Sequence, residues 1–193
     1  MTVADLEDLD GKSVYISFSA EIVANTTESL LATMATCSNG GATEVHLLIS
    51  TPGGTVMNGM NLDNVLRALP FKLVTHNVGN VDSIGNAVCL AGEERFACPH
   101  STFMFHGVGF DPGAERQEEK VLRERLDGIL ADQKRIGDVI DERTTLEPEQ
   151  IELLFRVAQT KDATYAVSAG IVHAIKDIDI PAGSPVVALV FQR

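Results

Sequence analysis

The chain has 193 residues, of which 45% are hydrophobic and 22% are charged, so it can bury a core. Its formal net charge of −12 argues against nucleic acid or an anionic membrane as a partner, because both require clustered Lys and Arg. No apolar run approaches the ~20 residues of a membrane span, and residues 1–10 lack the basic and apolar regions of a signal peptide. We therefore expect a cytoplasmic protein.

Three cysteines, Cys37, Cys89 and Cys98, each lie in or beside an apolar stretch and form no CxxC pair. An odd number of thiols at such spacing is typical of buried, reduced cysteines. A metal site would need more ligands than this spacing offers, so we expect neither a metal nor another cofactor.

Short apolar strands alternate with helical stretches in the first part of the chain. The hydrophobic periodicity predicts strands at Val14–Phe18, Glu44–Ser50, Phe71–Gly79 and Thr102–Phe105, and helices at Thr27–Thr36, Val56–Leu69 and Ser83–Ala91. This alternation predicts an α/β fold with largely parallel strand pairing.

The second part of the chain begins with a charged segment, Glu115 to Arg143, whose apolar residues recur at helical spacing. We predict one long amphipathic helix at 115–143 and expect part of its apolar stripe to contact a partner subunit. Further predicted elements are a helix at Glu147–Phe155, a helix at Ala163–Ala169 capped by Asp162 and closed by Gly170, and strands at Ile171–Ile175 and Pro185–Arg193. Because there is no internal repeat or linker, residues 1–193 are predicted to form a single domain.

Two glycine-rich turns follow two of the strands, at Ser50–Gly54 and Gly79–Gly85. In the second turn, Ser83 stands at a predicted helix start, where its hydroxyl can project and nearby N–H groups favour negative charge. Alone this pattern is weak, because a serine at a helix start is more often an N-cap. The first turn offers bare glycine backbone, as an oxyanion site for acyl transfer requires, although Pro-Gly-Gly is also a common turn sequence.

Among the histidines, His106 ends a predicted strand and precedes a glycine-rich segment. A histidine in such a place is often only a satisfied surface or core residue. His46 and His76 lie within predicted strands, and no ligand set is predicted near them.

Together these segments resemble the proteolytic subunit of the Clp proteases. The resemblance rests on segments in a consistent order: Ile49–Val56, Gly59–Met60, Gly79–Gly85, Ala91–Gly92, Pro99–Ser101, Met104–His106, Leu146–Ile151 and Ala169–Val172. It covers roughly Val14 to Ile175, and several motifs in register are more specific than any one of them. It implies a ClpP/crotonase-like fold, a superhelical core of repeated ββα units with a long protruding handle helix at 115–143.

The resemblance implies a serine endopeptidase that hydrolyses peptide bonds of unfolded proteins or peptides inside an oligomeric chamber. Ser83 would be the nucleophile and His106 the base, with the N–H groups of Gly54 and Ile84 as the oxyanion hole. The segment Gly107–Gly113 would be the strand that pairs with extended substrate.

The family assembles as two stacked seven-membered rings, so the resemblance implies a homo-oligomer in which the helix at 115–143 mediates contact between rings. Family members also engage a ring-shaped ATPase chaperone through an N-terminal loop. Residues 1–12 contain no recognisable counterpart of that loop, which leaves partnership with an ATPase open.

The sequence departs from the family at the third member of the triad, where Ala158 stands in place of Asp. Alanine cannot orient the imidazole or stabilise its cation, and loss of that role can cost about 10⁴ in rate. Either hydrolysis is slow or another residue orients His106. Asp162 and Gln159 are the nearest candidates, although Asp162 is better interpreted as a helix cap.

Asp82, directly before Ser83, is also unusual for the family. It is either an exposed acid that points away from the site or a local charge that alters substrate preference or the basicity of His106.

Two other functions stay open at this point. Ala158 favours a non-catalytic ring or scaffold subunit that assembles with an active paralogue. A crotonase-like acyl-CoA enzyme would share the fold and the two-amide oxyanion site, but residues 50–92 offer only Arg67 and Lys72 for the phosphates of coenzyme A.

Overall fold

The computed structural model describes residues 8–114 and 116–191. The strands in these residues are β1 (Ser13–Ser19), β2 (Glu44–Thr51), β3 (Lys72–Asp82), β4 (Glu94–Ala97), β5 (Thr102–Phe105), β6 (Gln159–Asp162), β7 (Ala174–Ile175) and β8 (Val186–Leu189). The helices are α1 (Ala24–Asn39), α2 (Val56–Ala68), α3 (Gly85–Leu90), α4 (Glu119–Arg143), α5 (Pro148–Val157) and α6 (Ala163–Ser168).

All these strands join one sheet in the order β6-β5-β3-β2-β1-β8; off this path, β4 pairs with β3 and β7 pairs with β4. The strand β3 has 11 residues and pairs with two strands along the same edge: its first half pairs with β4 and its last residues pair with β5. Only β5 and β6 pair antiparallel, and the other pairs are parallel. The predicted α/β fold with largely parallel pairing is confirmed.

One face of the sheet carries the hydrophobic core. Alternate residues of β1 and β2 are buried there, because successive strand residues point to opposite faces, and α1 and α2 add apolar residues at helical spacing. The residues concerned are Val14, Ile16, Phe18, Leu30, Met34, Val45, Leu47, Ile49, Leu62 and Leu66. This packing fixes the ends of β2 and β3, from which the two glycine-rich turns emerge.

The opposite face carries a row of four rings, Tyr15, His46, His76 and Phe96, which we call the ring row; the first three are stacked and Phe96 is tilted against His76. Successive ring centroids are 4.4, 5.2 and 5.4 Å apart. His46 Nδ1 lies 2.9 Å from His76 Nε2, and His46 Nε2 lies 2.7 Å from Glu44 Oε1. The sequence did not predict this contact between the two histidines.

The long helix α4 runs without a break from Glu119 to Arg143, and the predicted start at Glu115 lies outside the described residues. Its last two turns are anchored, because Arg143 forms a buried ion pair with Asp63 of α2. The apolar residues of this end are buried, namely Ile136, Val139 and Ile140. Nearer its start, a stripe at four-residue spacing is about half exposed, namely Leu122, Leu126 and Leu130.

Several smaller elements differ from the prediction. The helix after Ser83 begins at Gly85, because Ser83 has a left-handed backbone. The predicted strand at Ile171–Ile175 shortens to the two residues of β7, and β8 is shorter than predicted, with residues 192–193 outside the description. The sequence predicted neither β4 nor β6.

The cap of α6 is confirmed, because Asp162 Oδ1 accepts a hydrogen bond from the Tyr165 N–H at 2.8 Å. Cys37 and Cys89 are free and buried as predicted, whereas the free Cys98 is only half-buried. Within residues 8–114 and 116–191, no helix is both long enough and apolar enough to cross a membrane.

Candidate active site

Ser83 follows β3 directly and has a φ of +57°, in the left-handed region that residues other than glycine rarely enter. Its N–H donates to the Met104 carbonyl at 2.8 Å, and its carbonyl accepts from the Asn86 N–H at 3.1 Å. Such a backbone conformation costs about 1–3 kcal/mol and is found at nucleophile turns between a strand and a helix.

Asn86 holds this turn, and the sequence analysis missed it. Its side chain is fully buried, and Nδ2 donates to the carbonyls of both Ser83 and Met104 at 2.9 Å. A polar residue in an otherwise apolar segment, Ile84–Leu90, is the signal that could have identified it, because burying an amide requires partners.

The first glycine-rich turn lies against Ser83. A Cβ on Gly53, which has a φ of +89°, would lie 2.7 Å from Ser83 Cβ. On Gly54, whose φ is +155°, a Cβ would lie 2.1 Å from the Ile22 carbonyl oxygen. Both glycines are therefore required for the turn to approach the serine and the chain after β1.

Backbone donors are available at both turns. The Gly53 carbonyl accepts from the Ile22 N–H at 2.7 Å, and the Thr55 N–H donates to the Ile22 carbonyl at 2.9 Å. In the described chain, outside its helices and strands, the N–H groups of Gly54 and Ile84 donate to no backbone carbonyl. These are the donors that the sequence analysis predicts for the oxyanion hole.

The strand β5 brings His106 to the same place, because its register pairs Met104 with Asp82. Gly54, Ser83 and His106 line one cavity of about 400 Å³. The rest of the lining is mainly apolar and includes Val56, Phe105, Val108, Phe110, Ile136 and Phe155. Three of the four predicted catalytic positions thus share a cavity, and Ile84, which is fully buried, can contribute only its N–H.

The imidazole of His106 is exposed, and its Nδ1 lies 2.7 Å from the carbonyl oxygen of Gly107. Within the part of the chain that the structure describes, no hydrogen bond joins Ser83 Oγ to His106, and no carboxylate forms a hydrogen bond or ion pair with the ring, although Asp111 lines the same cavity. The catalytic roles of these residues stay predictions.

The register of β6 locates Ala158. Gln159 pairs with Phe105 at the end of the antiparallel ladder, so Ala158 and His106 are the residues that directly adjoin this end of the ladder. Ala158 ends α5 with a φ of +53° and is exposed. Its methyl group can neither accept a hydrogen bond nor carry charge.

Neither neighbouring candidate substitutes for the missing carboxylate. Asp162 pairs with Thr102, three residues or roughly 10 Å along the ladder from the end near His106, and it caps α6. The side chain of Gln159 is held by Lys161, whose Nζ donates to Gln159 Oε1 at 2.5 Å.

Asp82 is half-buried rather than exposed, and it does not line the cavity. Its Oδ2 accepts from Asn80 Nδ2 at 2.7 Å, and Asn80 is also bonded to Ser50 and to the Thr51 carbonyl. This network favours the interpretation in which the acid points away from the catalytic side chains.

A family model for Clp protease matches residues 6–179 of the chain. That span includes both glycine-rich turns, the strand that ends at His106 and the segment that contains Ala158. The match covers far more than half of the 193 residues and agrees with the α/β sheet and its two turns. The chain therefore belongs to the Clp protease family.

Proposed function

We propose that this protein is a serine endopeptidase that hydrolyses peptide bonds through Ser83 and His106. The observation that supports this best is the strained turn at Ser83, which shares one cavity with His106 and the bare backbone of Gly54. Membership of the Clp protease family supports a serine peptidase independently of that geometry.

The proposed reaction begins when Ser83 Oγ attacks the scissile carbonyl carbon and His106 Nε2 takes the hydroxyl proton. The N–H groups of Gly54 and Ile84 stabilise the oxyanion that forms. His106 then gives the proton to the leaving amine as the C–N bond breaks, which leaves an acyl group on Ser83. Water repeats the same steps and releases the acid.

We propose that the substrates are unfolded proteins or peptides bound in an extended form. Segment Gly107–Gly113 belongs to no strand in the described chain, so it can pair with an extended peptide beside the cavity. The apolar lining favours a hydrophobic side chain next to the scissile bond. Because Ala158 provides no carboxylate, we expect slow turnover.

We also propose a homo-oligomer of stacked seven-membered rings in the cytoplasm, with partnership of a ring ATPase left open. The exposed stripe of Leu122, Leu126 and Leu130 supports a contact between subunits, because such stripes are normally covered. Native mass spectrometry of the parent and Leu126→Glu tests this: we expect the variant to form smaller assemblies. A parent protein that is monomeric contradicts the ring.

The direct test of the peptidase proposal is labelling with a fluorophosphonate, which reacts with an activated serine. We expect the parent to be labelled, Ser83→Ala to lose labelling and Ser168→Ala, an exposed serine on α6, to keep it. A parent that is not labelled contradicts the proposal and favours the second candidate, a non-catalytic ring or scaffold subunit that assembles with an active paralogue. Ala158 is the observation that favours that candidate.

A further inference from the structure

The hydrogen bond between His106 and Gly107 has a chemical consequence. A carbonyl oxygen can only accept, so the contact of 2.7 Å requires the proton on Nδ1. The lone pair is then on Nε2, which is the atom that must take the proton from Ser83. A carboxylate in the third triad position selects the same tautomer.

We propose that the main-chain carbonyl of Gly107 orients His106 in place of the missing triad carboxylate. Gly107 is thus a positioning residue and His106 the base. The inference rests on the proposed peptidase function, but the contact can be tested without any activity.

Gly107 itself is fixed by contacts with α5 and α4. The Gly107 N–H donates at 3.0 Å to the carbonyl of Phe155, in the last turn of α5, where helix carbonyls lack partners within the helix. A Cβ on Gly107 would lie 2.9 Å from Gln133 Oε1 of α4, so the residue is packed closely on that side. The residue that supplies the acceptor is therefore anchored through its N–H and packed against α4, which limits movement of the carbonyl next to it.

A carbonyl and a carboxylate differ in what they supply. Both fix the ring orientation and the tautomer, but only the carboxylate has a full charge to stabilise the imidazolium that forms during attack. We therefore expect a base that is correctly oriented and only partly assisted.

The first test is the tautomer of His106, read by NMR of the full-length protein labelled with ¹⁵N in its histidines. The His106 signals are identified by their loss in His106→Asn. We expect the neutral ring to carry its proton on Nδ1, whereas neutral imidazole in water favours Nε2. A dominant Nε2–H form overturns the inference.

The second test restores the carboxylate with Ala158→Asp, using Ala158→Asn as the matched neutral control. Both side chains tolerate the left-handed backbone of Ala158 better than alanine does, so neither should disturb the fold. We expect Ala158→Asp to raise the rate of fluorophosphonate labelling about 10- to 100-fold. A gain near 10⁴, the full effect of the carboxylate in a triad, overturns the inference, because it means that His106 was not oriented in the parent.

The pH profile separates charge from positioning. With Ala158→Asp, the acid limb of the labelling rate should move up by about one pH unit or more, because a nearby negative charge favours the protonated ring. With Ala158→Asn it should not move, and an equal shift in both variants overturns the inference. If the Nδ1–H tautomer is found but the parent is not labelled, the orienting contact stands and the peptidase proposal fails.

Discussion

The cavity at Ser83 and the ring row each contain a histidine, but the two histidines have different hydrogen-bond partners. In the cavity, His106 lies near a serine and its Nδ1 donates to a backbone carbonyl. In the ring row, His46 contacts the carboxylate of Glu44 and a second imidazole. A carboxylate–histidine pair therefore exists in this chain, but it does not line the cavity of the proposed nucleophile, so the two regions should differ in chemistry although both contain a histidine.

The largest expected difference between the two regions is in activity. We expect His106→Ala to lower the rate of labelling and of peptide hydrolysis at least about 10³-fold, because it removes the proposed base. His46→Gln, the matched change in the ring row, should leave both rates within about threefold of the parent, provided that circular dichroism confirms folding. Equal losses in the two variants would mean that the cavity has no special role.

The next prediction concerns the turn that approaches Ser83. Gly54→Ala should lower the free energy of unfolding by about 3 kcal/mol, because its Cβ would clash with the Ile22 backbone at a positive φ. Gly113→Ala is the control: that residue also has a positive φ, of +69°, but no atom lies within 4 Å of its Cβ position. Its cost should be about 1 kcal/mol. Urea denaturation of both variants measures the difference, and similar values would show that the turn is loosely packed.

The ring row should make stability depend on pH. Burial, followed by the charges of His46 and Lys176, lowers the pKa of His76 from 6.5 to about 4. Below pH 6.5 the unfolded chain takes up a proton at His76 that the folded protein does not bind until about pH 4. This contribution is therefore complete at neutral pH and is lost as the pH falls through that window, by up to about 3 kcal/mol.

Urea denaturation at pH 7, 5.5 and 4.5 tests this pH dependence. His76→Phe should show a shallower loss of stability than the parent, whereas His100→Ala, which changes an exposed histidine, should follow the parent. Parallel curves for the parent and His76→Phe would show that His76 is not the group responsible.

The smallest effect is expected at Asp82. Because its carboxylate is held by Asn80 and does not line the cavity, Asp82→Asn should change peptide hydrolysis by less than about threefold. A larger change would favour the other interpretation, in which this charge acts on substrate or on His106.

Much of the fold was predictable because its main elements have strong periodicity. The strands β1, β2, β3 and β5 and the helices α2, α4 and α5 follow directly from apolar spacing, and α6 follows from its cap. By contrast, β4 is held by partners that are distant in sequence: Arg95 donates to the carbonyls of Arg143, Gly170 and Ile171. Likewise β6 is a polar edge strand that exists through its pairing with β5.

The parts of the candidate site that consist of particular residue types in motifs could be predicted from the sequence, but its main-chain contacts could not. Ser83, His106 and Gly54 stand in recognisable motifs, and the structure brings them to one cavity. The Gly107 acceptor is a main-chain atom, which every residue has, so no residue type signals it. The contact between His46 and His76 depends on the register of β2 and β3. This register pairs His46 with Val74, so His76, two residues further along β3 and on the same face, lies diagonally across from His46.

The pairing of β8 with β1 has a consequence for synthesis of the chain. Tyr15 pairs with Val186, about 170 residues later, so one edge of the apolar strand β1 has no partner from β8 until the late residues emerge. At about 5–20 residues per second, that interval is roughly ten to thirty seconds on the ribosome. An unpaired edge of this kind is a template for aggregation, so the nascent chain should depend on chaperones that shield β1 until β8 arrives.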